Sequence, residues 1–395
     1  MAANKNNKAL NVPHLRFPGF TEEWKKCSLG EQCSILMCKR ILATQTNQES
    51  GVPFYKIGTI GNTPNAYISK ELFDSYKYKY SFPRKGEIMI TCAGTVGKCI
   101  VFNGEDSYFQ DSNIVWIDNP TEKIQNPFLY YVLSNVNWRK LNSTTITRIY
   151  NDDLHNLNIA YPSTTEQTII SSLLSLIDER IATQNKIIEK LETLIKGIVD
   201  FIFTYYKFTT IPFKDVYSCA GEGGTPATSN PEYYKSGTIP FIKIDDLQNK
   251  YIESNKDYIT ELGLQKSSAW IVPTNSIIYS NGATIGKVSI NKYPVCTKQG
   301  ILGIAPKANM NVEFLYYFMT STMFAKAIER VVTEGTMRTA YLKDINHILC
   351  PIPNSNEQNK IAKLLSALSA KLENEIIFQR KLQKQKEFLL SQMFI

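Results

Sequence analysis

Two short glycine-bounded turns, each ending in a lysine, carry the strongest chemical signature in this sequence. Residues 94–98 read GTVGK, and residues 282–287 read GATIGK. The longer turn is one residue short of the phosphate-binding P-loop, and neither lysine is followed by serine or threonine. We therefore predict no nucleotide site, but glycine-permitted turns between strands that display Lys98 and Lys287. Each lysine is either a contact to a nucleic-acid phosphate or a solvated surface cation.

No catalytic residue and no metal site is predicted in the chain. The string Asn126-Pro127-Phe128 lacks the second proline with which DNA methyltransferases hold a flipped base, and no glycine-rich cofactor loop follows a clear strand. No histidine is shared between the two halves of the sequence, which favours structural or surface roles. The pair Asp245-Asp246 has no third ligand. None of the eight cysteines has zinc-finger spacing, so we expect reduced and mostly buried thiols.

Lysine, arginine and aromatic residues recur in segments that we interpret as loops, among them Lys39-Arg40, Arg139-Lys140 and residues 76–80. Lysine attracts phosphate without regard to base sequence, whereas arginine can read guanine edges with two hydrogen bonds. Two Thr/Arg-rich segments, 143–148 and 333–338, occupy equivalent places in the two halves. The alternative is a solvated loop whose arginine pairs with a nearby carboxylate. The predicted DNA contacts are Lys98, Arg148, Lys287, Arg338, Lys77, Lys79 and Arg84.

These residues must be positioned by a scaffold that the sequence encodes twice. Residues 165–203 and 356–394 are similar, and Glu166-Gln167 aligns with Glu357-Gln358 after an offset of about 191 residues. Each copy follows a proline, and a serine or asparagine stands three residues before each glutamate. This spacing predicts a helix start at which the glutamate side chain reaches back to the capping residue.

An apolar stripe with steps of three and four residues runs along each copy, with a gap at Gln184 in the first copy and at its counterpart Glu375 in the second. Each helix of about 40 residues would be roughly 60 Å long, far beyond an ordinary core helix. We therefore expect the two helices to form a coiled coil with each other rather than to lie inside one globular core. The predicted seam residues are Leu173, Ile177, Ile181, Leu191, Ile198, Leu364, Leu368, Leu372, Leu382 and Leu389.

The stretches outside the helices also align, and they predict a mixed α/β unit that occurs twice. Predicted strands are 88–92, 113–117, 239–244, 276–280 and 300–304, and predicted helices are 127–141 and 312–332. The fold class is therefore α+β, with two similar mixed α/β domains separated by two long helices. The predicted organisation is a tail at 1–14, a first domain at 15–161, a long helix at 162–207, a second domain at 208–353 and a long helix at 354–395.

Composition limits the class of protein more than it identifies it. The net charge of +8 is compatible with a nucleic-acid surface, although 44 Lys and Arg stand against 36 Asp and Glu. No apolar run approaches the roughly 18–20 residues of a transmembrane helix, and the N-terminus lacks an apolar signal-peptide core. We expect a cytoplasmic protein.

Together, these features make the chain resemble a specificity subunit of a type I restriction–modification enzyme over nearly its full length. The resemblance rests on the opening VPHLRFPGF of residues 12–20 with Trp24, on the Pro-x-x-x-Glu-Gln strings at 162–167 and 353–358, and on the duplicated order of domain and helix. One departure is that Ile188 and Ile195 align with Gln379 and Lys386, so the two seams differ.

The resemblance implies two target-recognition domains that each read one half of a split double-stranded DNA sequence, and an antiparallel pair of helices as a spacer. It implies two modification (methyltransferase) subunits, which carry S-adenosylmethionine, and restriction (endonuclease/translocase) subunits, which use ATP and Mg²⁺. This chain itself would carry no cofactor. Two alternatives stay open: a coiled-coil scaffold or inhibitory adaptor without DNA readout, and a single-chain nuclease or methyltransferase.

Overall fold

The computed structural model describes residues 11–121, 123–138, 148–282, 284–332 and 338–395. The first ten residues of the predicted tail lie outside these ranges, as do Arg139, Lys140 and most of the two Thr/Arg-rich segments. Of those two segments, Arg148 and Arg338 are described. Among the described helices, none combines the length and the apolar character needed to span a membrane.

The chain divides into two compact units, and each contains one domain with parts of both long helices. The first unit comprises Met1–Thr183 and Gln379–Ile395, and the second comprises Gln184–Phe378. The second unit is therefore one continuous stretch of chain, whereas the first is built from two separated stretches.

The first domain is a four-stranded sheet covered on both faces. Its strands are β1 (Lys25–Ser28), β2 (Ser34–Leu36), β3 (Val52–Tyr55), β4 (Tyr67–Ile68), β5 (Ile88–Thr91), β6 (Cys99–Val101), β7 (Tyr108–Phe109), β8 (Ile114–Asp118) and β9 (Asn158–Tyr161). The central sheet has the antiparallel order β2-β8-β5-β6; β4-β3-β7 forms a second sheet, with β3 and β7 parallel, and β1 pairs with β9. The helices are α1 (Lys70–Lys79), α2 (Asn126–Ser134) and α3 (Asn151–His155).

Strand β5 shows why the first domain has this layered form. All four of its side chains are buried, and successive side chains point to opposite faces of the sheet. Ile88 and Ile90 join the core that contains α2, while Met89 joins the core beneath α1 and the second sheet. A strand that is apolar on both faces requires a cover on each side, and these two layers provide it.

The second domain repeats this topology. Its strands are β10 (Thr210–Pro212), β11 (Tyr217–Glu222), β12 (Ile239–Ile242), β13 (Tyr251–Ile252), β14 (Asp257–Ile259), β15 (Ile277–Ser280), β16 (Val288–Asn291), β17 (Cys296–Thr297), β18 (Ile301–Pro306) and β19 (Leu349–Pro351). The order β11-β18-β15-β16 matches β2-β8-β5-β6, with β13 added parallel to β16 as a fifth strand, and β14-β12-β17 matches β4-β3-β7. The helices are α5 (Glu261–Gln265), α6 (Val312–Thr320), α7 (Thr322–Val331) and α8 (Leu342–Ile345). The predicted α+β fold with two similar domains is confirmed.

Three local predictions were wrong. Residues 76–79 belong to α1 rather than to a loop, because Ser69 caps that helix and Phe73 anchors it in the core. Within the described part of the predicted helix 127–141, α2 ends at Ser134, and residues 139–141 lie outside the described ranges. The predicted helix 312–332 is interrupted at Ser321, whose hydroxyl accepts from the Phe324 amide at 3.2 Å and starts α7.

The two long helices, α4 (Thr164–Tyr205) and α9 (Ser355–Met393), contain 42 and 39 residues. In the first unit, Ile170 and Leu174 of α4 share a core with Met393 of α9. In the second unit, Ile202 of α4 shares a core with Leu365 of α9. Early residues of one helix thus meet late residues of the other, which is the antiparallel pairing that the resemblance implied.

Most of the predicted seam is half-buried in the structure, at Leu173, Ile177, Ile181, Leu191, Ile198, Leu368, Leu372, Leu382 and Leu389. Leu364 differs, because 51% of its surface is exposed while Leu365 is fully buried. The first turns of α9 pack on the core of the second domain, and that contact turns Leu365 inward. Leu364 instead lines an apolar groove of about 390 Å³ together with Ile198, Phe201, Tyr206, Phe208 and Ile361.

The repeated Glu-Gln pair anchors each long helix to its own domain mainly through the glutamine. Gln167 is buried; its amide donates to Pro162 O at 2.9 Å, and its carbonyl accepts from the Gln125 amide at 2.8 Å. Gln358 does the same with Pro353 O at 3.0 Å and the Asn311 amide at 2.9 Å. Each glutamine therefore joins the start of a long helix to the residue that caps α2 or α6.

The predicted return contact of the glutamate to its capping residue was wrong for Glu166. Both of its carboxylate oxygens accept from Arg16, at 2.7 and 2.8 Å, and this hydrogen bond raises the pKa of the Arg16 guanidinium. Glu166 is buried, whereas its counterpart Glu357 is exposed. The serine cap itself is present, since Ser163 Oγ accepts from the Glu166 amide at 3.4 Å.

Candidate nucleic-acid interface

The glycine turn in the first domain is the tip of the β5–β6 hairpin. Thr91, at the end of β5, holds the tip closed: its hydroxyl accepts from the Lys98 amide at 3.0 Å, and its carbonyl accepts from the Gly97 amide at 2.8 Å. Gly97 has φ +80°, and a Cβ there would lie 2.0 Å from the Trp138 ring. Glycine is therefore required both by the backbone and by the close packing of Trp138.

The second domain has the same hairpin between β15 and β16. Ser280 replaces Thr91: its hydroxyl accepts from the Lys287 amide at 2.8 Å, and its carbonyl accepts from the Gly286 amide at 3.0 Å. Gly286 has φ +103°. The prediction of glycine-permitted turns between strands is correct at both places.

The two hairpin lysines are half-buried rather than freely displayed. Lys98 Nζ donates to Ile60 O at 2.6 Å, and Lys287 Nζ lies 3.5 Å from Ile244 O. Each ammonium thus ties its hairpin to the turn after β3 or β12, while the positive charge stays at the tip. A charge held by one backbone acceptor can still attract phosphate through its other donors.

A second segment joins each hairpin and brings the predicted arginine to it. The Ile149 amide donates to Cys92 O at 2.9 Å in the first domain, and the Ala340 amide donates to Asn281 O at 2.9 Å in the second. Arg148 and Arg338 are next to these joints. The structure therefore places Arg148 beside the hairpin that carries Lys98, and Arg338 beside the hairpin that carries Lys287.

The surroundings of the two arginines differ. Arg148 Nη2 donates to Ser112 O at 3.2 Å, and its guanidinium lies over the Tyr150 ring at 5.9 Å. Arg338 is exposed and lines a cavity of about 370 Å³ with Tyr279, Gly286, Phe324, Ile328 and Glu329. The two domains share their scaffold at this end of the sheet and differ in the surface built on it.

A third turn completes this end of each domain. Asn113 O accepts from the Cys92 amide at 2.8 Å, and Gly300 O accepts from the Asn281 amide at 3.0 Å. The turns use left-handed backbone, with φ +55° at Ser112 and +86° at Gly300. We call the surface made by the hairpin tip, the arginine segment and this turn the tip face of each domain.

The other predicted DNA contacts lie apart from the tip face of the first domain. Lys77 Nζ is 3.3 Å from Asp106 and lies over the Phe73 and Phe82 rings, and Lys79 is exposed in the last turn of α1. Arg84 precedes β5, at the opposite end of that strand from the hairpin. Its guanidinium pairs with Glu87 and with Asp118, and the hydrogen bond to Glu87 raises its pKa.

Sequence reasoning missed the hydroxyls of Thr91 and Ser280 and the turns at 110–113 and 298–300. A usable signal was present, because both hydroxyl residues end aligned apolar strands six residues before the hairpin glycine. The turns gave no such signal, since their sequences QDSN and KQG do not resemble each other.

The described residues hold no group of three or more metal-ligating side chains. Asp246 accepts from the Lys243 amide at 2.8 Å, and the His155 ring packs against Gly30, which gives both a structural role. Cationic side chains and exposed loop backbone at the tip faces are suited to binding phosphates and base edges.

Comparison with known proteins places this architecture in a family. The sequence matches the type I restriction modification DNA specificity domain twice, over residues 21–193 and 206–379. A Haemophilus influenzae protein named as a candidate type I restriction enzyme specificity subunit is 45% identical over 193 residues, which cover 49% of this chain and 44% of the relative. The type I restriction enzyme MjaIX specificity subunit of Methanocaldococcus jannaschii is 38% identical over 168 residues, covering 41% of this chain and 38% of the relative.

The chain thus aligns with less than half the length of these two curated relatives. Among solved structures, the type I restriction-modification system S subunit from M. genitalium matches with a TM-score of 0.62 at 18% identity, covering 97% of this chain and 99% of that one. This likeness establishes the shared fold. Because the two family matches together cover most of its length, the chain belongs to the type I restriction modification DNA specificity domain family.

Proposed function

We propose that this chain is the non-catalytic DNA-recognition subunit of a type I restriction–modification complex. The observation that carries the proposal is the tip face, which occurs once in each domain with a lysine and an arginine at equivalent places. Two similar scaffolds with different surfaces suit a protein that reads two different half-sites. Lysine supplies attraction to phosphate, and arginine and the loop backbone supply contacts to base edges.

In this proposal the two long helices set the gap between the half-sites. A helix of 42 residues is roughly 63 Å long and resists bending when it is paired with a second helix. Half-sites read from one face of DNA recur at about 34–36 Å. A rigid spacer of this size class can select one interval and reject others.

The helices would also receive the modification subunits. The apolar groove at Leu364 and the exposed rings of Phe201 and Tyr205 form an apolar surface on the long helices, which a partner helix could cover. Those partners would supply S-adenosylmethionine and the methyl transfer, and restriction subunits would supply ATP- and Mg²⁺-dependent cleavage. A chromosomal DNA target would put the assembly in the cytoplasm.

The test is DNA binding by the full chain assembled with its modification subunits. We expect retardation of a target DNA in a gel-shift assay that resists competition by unrelated DNA. The salt dependence should be steep, because bound lysines and arginines release counterions from the phosphates. An assembly that forms but binds all DNA equally would favour the scaffold or adaptor alternative. Methylation or cleavage by the purified chain alone would favour the single-chain enzyme.

Domain exchange gives a second, independent test. Replacing residues 15–161 with another recognition domain should change one half-site and leave the other half-site and the gap unaltered. Methylome sequencing of a strain carrying the exchange reports both halves at once. Simultaneous change of both half-sites would refute independent reading by the two domains.

A further inference from the structure

The described arginines of the first unit's domain differ in how their guanidinium groups are used. A guanidinium carries five N–H donors and can bind a carboxylate along one edge and a guanine along another. Arg16 uses both Nε and Nη2 on the buried Glu166. Arg84 divides its donors between Glu87 and Asp118. In both of these groups, Nε and Nη2 already bind carboxylates of the fold.

Arg40 is held differently. Its Nε donates to Asp111 Oδ2 at 2.8 Å, and across the described part of the chain Nη1 and Nη2 make no hydrogen bond. The Arg40 side chain is 66% exposed, while that of Asp111 is 18% exposed. A carboxylate that is itself largely covered thus fixes the Nε side of an otherwise solvated guanidinium.

The backbone beneath Arg40 is fixed as well. Cys38 and Ile41 are buried in the core on either side of it, with 2% and 9% of their surfaces exposed. The fully buried Tyr108 donates its hydroxyl to Lys39 O at 3.0 Å. The arginine therefore projects from an anchored segment, so little conformational entropy is lost when it binds a ligand.

Arg40 also lies at the tip face. Asp111 directly precedes Ser112, whose carbonyl accepts from Arg148, and Asn113 O holds the Cys92 amide at the base of the hairpin. Asp111 therefore belongs to the turn that completes this face, and its ion pair brings Arg40 to the same edge as Arg148.

We propose that Arg40, oriented by Asp111, reads a guanine in the DNA half-site contacted by the first domain. The inference rests on the proposed function and names one base contact within it. With Nε occupied by the carboxylate, Nη1 and Nη2 donate to O6 and N7 of guanine in the major groove. Adenine presents a donor in place of O6, so the same pair of donors rejects it.

The second domain has no corresponding arginine. Its equivalent turn uses Gln299 and Gly300, whose amides donate to Thr225 Oγ1 at 3.3 Å and Glu222 Oε1 at 2.9 Å. The segment that supplies Thr225 reads GGTPATS over residues 223–229. The guanine contact is therefore specific to one half-site, and this asymmetry is part of the test.

The experiment measures binding of the full chain, assembled with its modification subunits, to DNA targets varied one base pair at a time. Arg40→Lys keeps the charge and removes the two-donor edge. Asp111→Ala removes the orienting carboxylate and makes the protein one unit more positive. Lys39→Ala is the matched control, because it removes the neighbouring exposed charge without touching the Arg40–Asp111 pair. Thermal unfolding of each variant checks that the fold is intact.

We expect Arg40→Lys to lower the preference for guanine at one position of one half-site by about 10- to 100-fold, the range for a lost bidentate contact. Asp111→Ala should lower the same preference while strengthening binding to unrelated DNA, because repulsion of phosphate is removed. Lys39→Ala should weaken all targets alike.

Two results would overturn the inference and leave the proposed function standing. One is an unchanged preference at every position in Arg40→Lys; the other is a uniform loss across all bases, which would make Arg40 a phosphate contact. A wild-type assembly without any base preference would overturn the proposed function itself.

Discussion

Gln184 of α4 and Glu375 of α9 hold the same position in the two repeats, and in the folded protein they contact each other. Gln184 Nε2 donates to the Glu375 main-chain carbonyl at 3.2 Å and also to its carboxylate. Gln184 is only 3% exposed, in a seam that is mainly apolar. In an antiparallel pair of similar helices, equivalent residues lie side by side at one level only, and Gln184 and Glu375 mark that level. A polar contact at one seam position fixes the register, because any slip would bury the Gln184 amide away from the oxygens of Glu375 that it now binds.

The first prediction concerns this contact. Gln184→Leu leaves the Glu375 carboxylate without its amide partner and should lower the free energy of unfolding by about 1–3 kcal/mol. Replacing both residues with leucine should recover most of that loss, since apolar pairs can substitute for buried polar ones. Thermal unfolding of the full chain measures both, with the exposed Gln383→Leu in α9 as control. A double variant as unstable as the single one would show that the contact is not responsible.

The second prediction compares the two copies of the helix-start glutamate. Glu166→Ala removes the partner of Arg16, whose side chain is only 14% exposed, and should destabilise the protein by about 3 kcal/mol. Glu357→Ala alters the same motif position on an exposed surface and should change stability by less than about 0.5 kcal/mol. Denaturant unfolding of the two variants in parallel is the measurement. Equal effects would mean that the ion pair does not cause the difference.

The third prediction concerns the spacer. Four residues inserted after Ile181 and four after Gln379 lengthen both helices by about one turn at the same level. The ion pair between Asp178 and Lys386 lies on one side of the insertions, and the hydrogen bond between Gln184 and Glu375 lies on the other. Both contacts can therefore persist. We expect methylome sequencing to report a changed gap between half-sites with the same bases read. Altered bases at an unchanged gap would contradict the spacer role.

Its control is the insertion after Ile181 alone. This change shifts one helix against the other, so one of the two polar contacts must break. We expect a lower thermal midpoint for the single insertion than for the matched pair. Comparison of the two proteins therefore separates the effect of length from the effect of register.

The fourth prediction assigns each tip-face arginine to one half-site. Arg148→Ala and Arg338→Ala should each weaken binding by about 1–3 kcal/mol, and the loss should depend on the bases of one half-site only. Because the two residues lie in different domains, the double variant should show the sum of the two losses. Binding to targets altered in one half-site at a time provides the measurement. Non-additive losses would indicate that the two domains do not read independently.

The fifth prediction concerns the cysteines. Burial raises the pKa of the Cys38 and Cys350 thiols, for Cys38 to about 12, whereas Cys219 is exposed. A raised pKa means less of the reactive thiolate at any given pH. An alkylating reagent at pH 8 should therefore modify Cys219 first in the native protein and the buried thiols only after denaturation. Peptide mass spectrometry reads the order, and early modification of Cys38 would contradict the buried position.

The sequence was most informative where a physical constraint repeats. The strands β5 and β15, the hairpin glycines and the long helices all followed from periodicity or from turn chemistry that appears twice. Leu364 shows the limit, because a step of three and a step of four are both compatible with the seam. In the structure, Leu365 rather than Leu364 is buried, because it packs in the core of the second domain.

The tip face was only partly predictable. Arg148 and Arg338 carried a signal because both copies place an arginine before Tyr150 or Tyr341. The ion pair of Arg40 with Asp111 joins residues 71 positions apart, and no equivalent pair occurs among the described residues of the second domain. It could therefore be identified only from the folded structure. Arg84 is the opposite case: the sequence predicted a DNA contact at this basic loop residue, whereas in the structure its guanidinium pairs with two carboxylates.

The division of the chain into one continuous and one discontinuous unit has a consequence for biosynthesis. Gln184–Phe378 can fold as soon as it has left the ribosome, because its core requires no residue from outside that stretch. The core of the first unit includes Met393 and contacts Phe394, and Leu15 donates to Gln392 O at 2.9 Å. Part of the apolar core of the first unit therefore stays uncovered after its N-terminal stretch is translated, until the residues at the end of α9 have been synthesised. Domains usually complete in the order of their synthesis, whereas the first unit of this protein cannot be completed until the residues of the second unit have been synthesised.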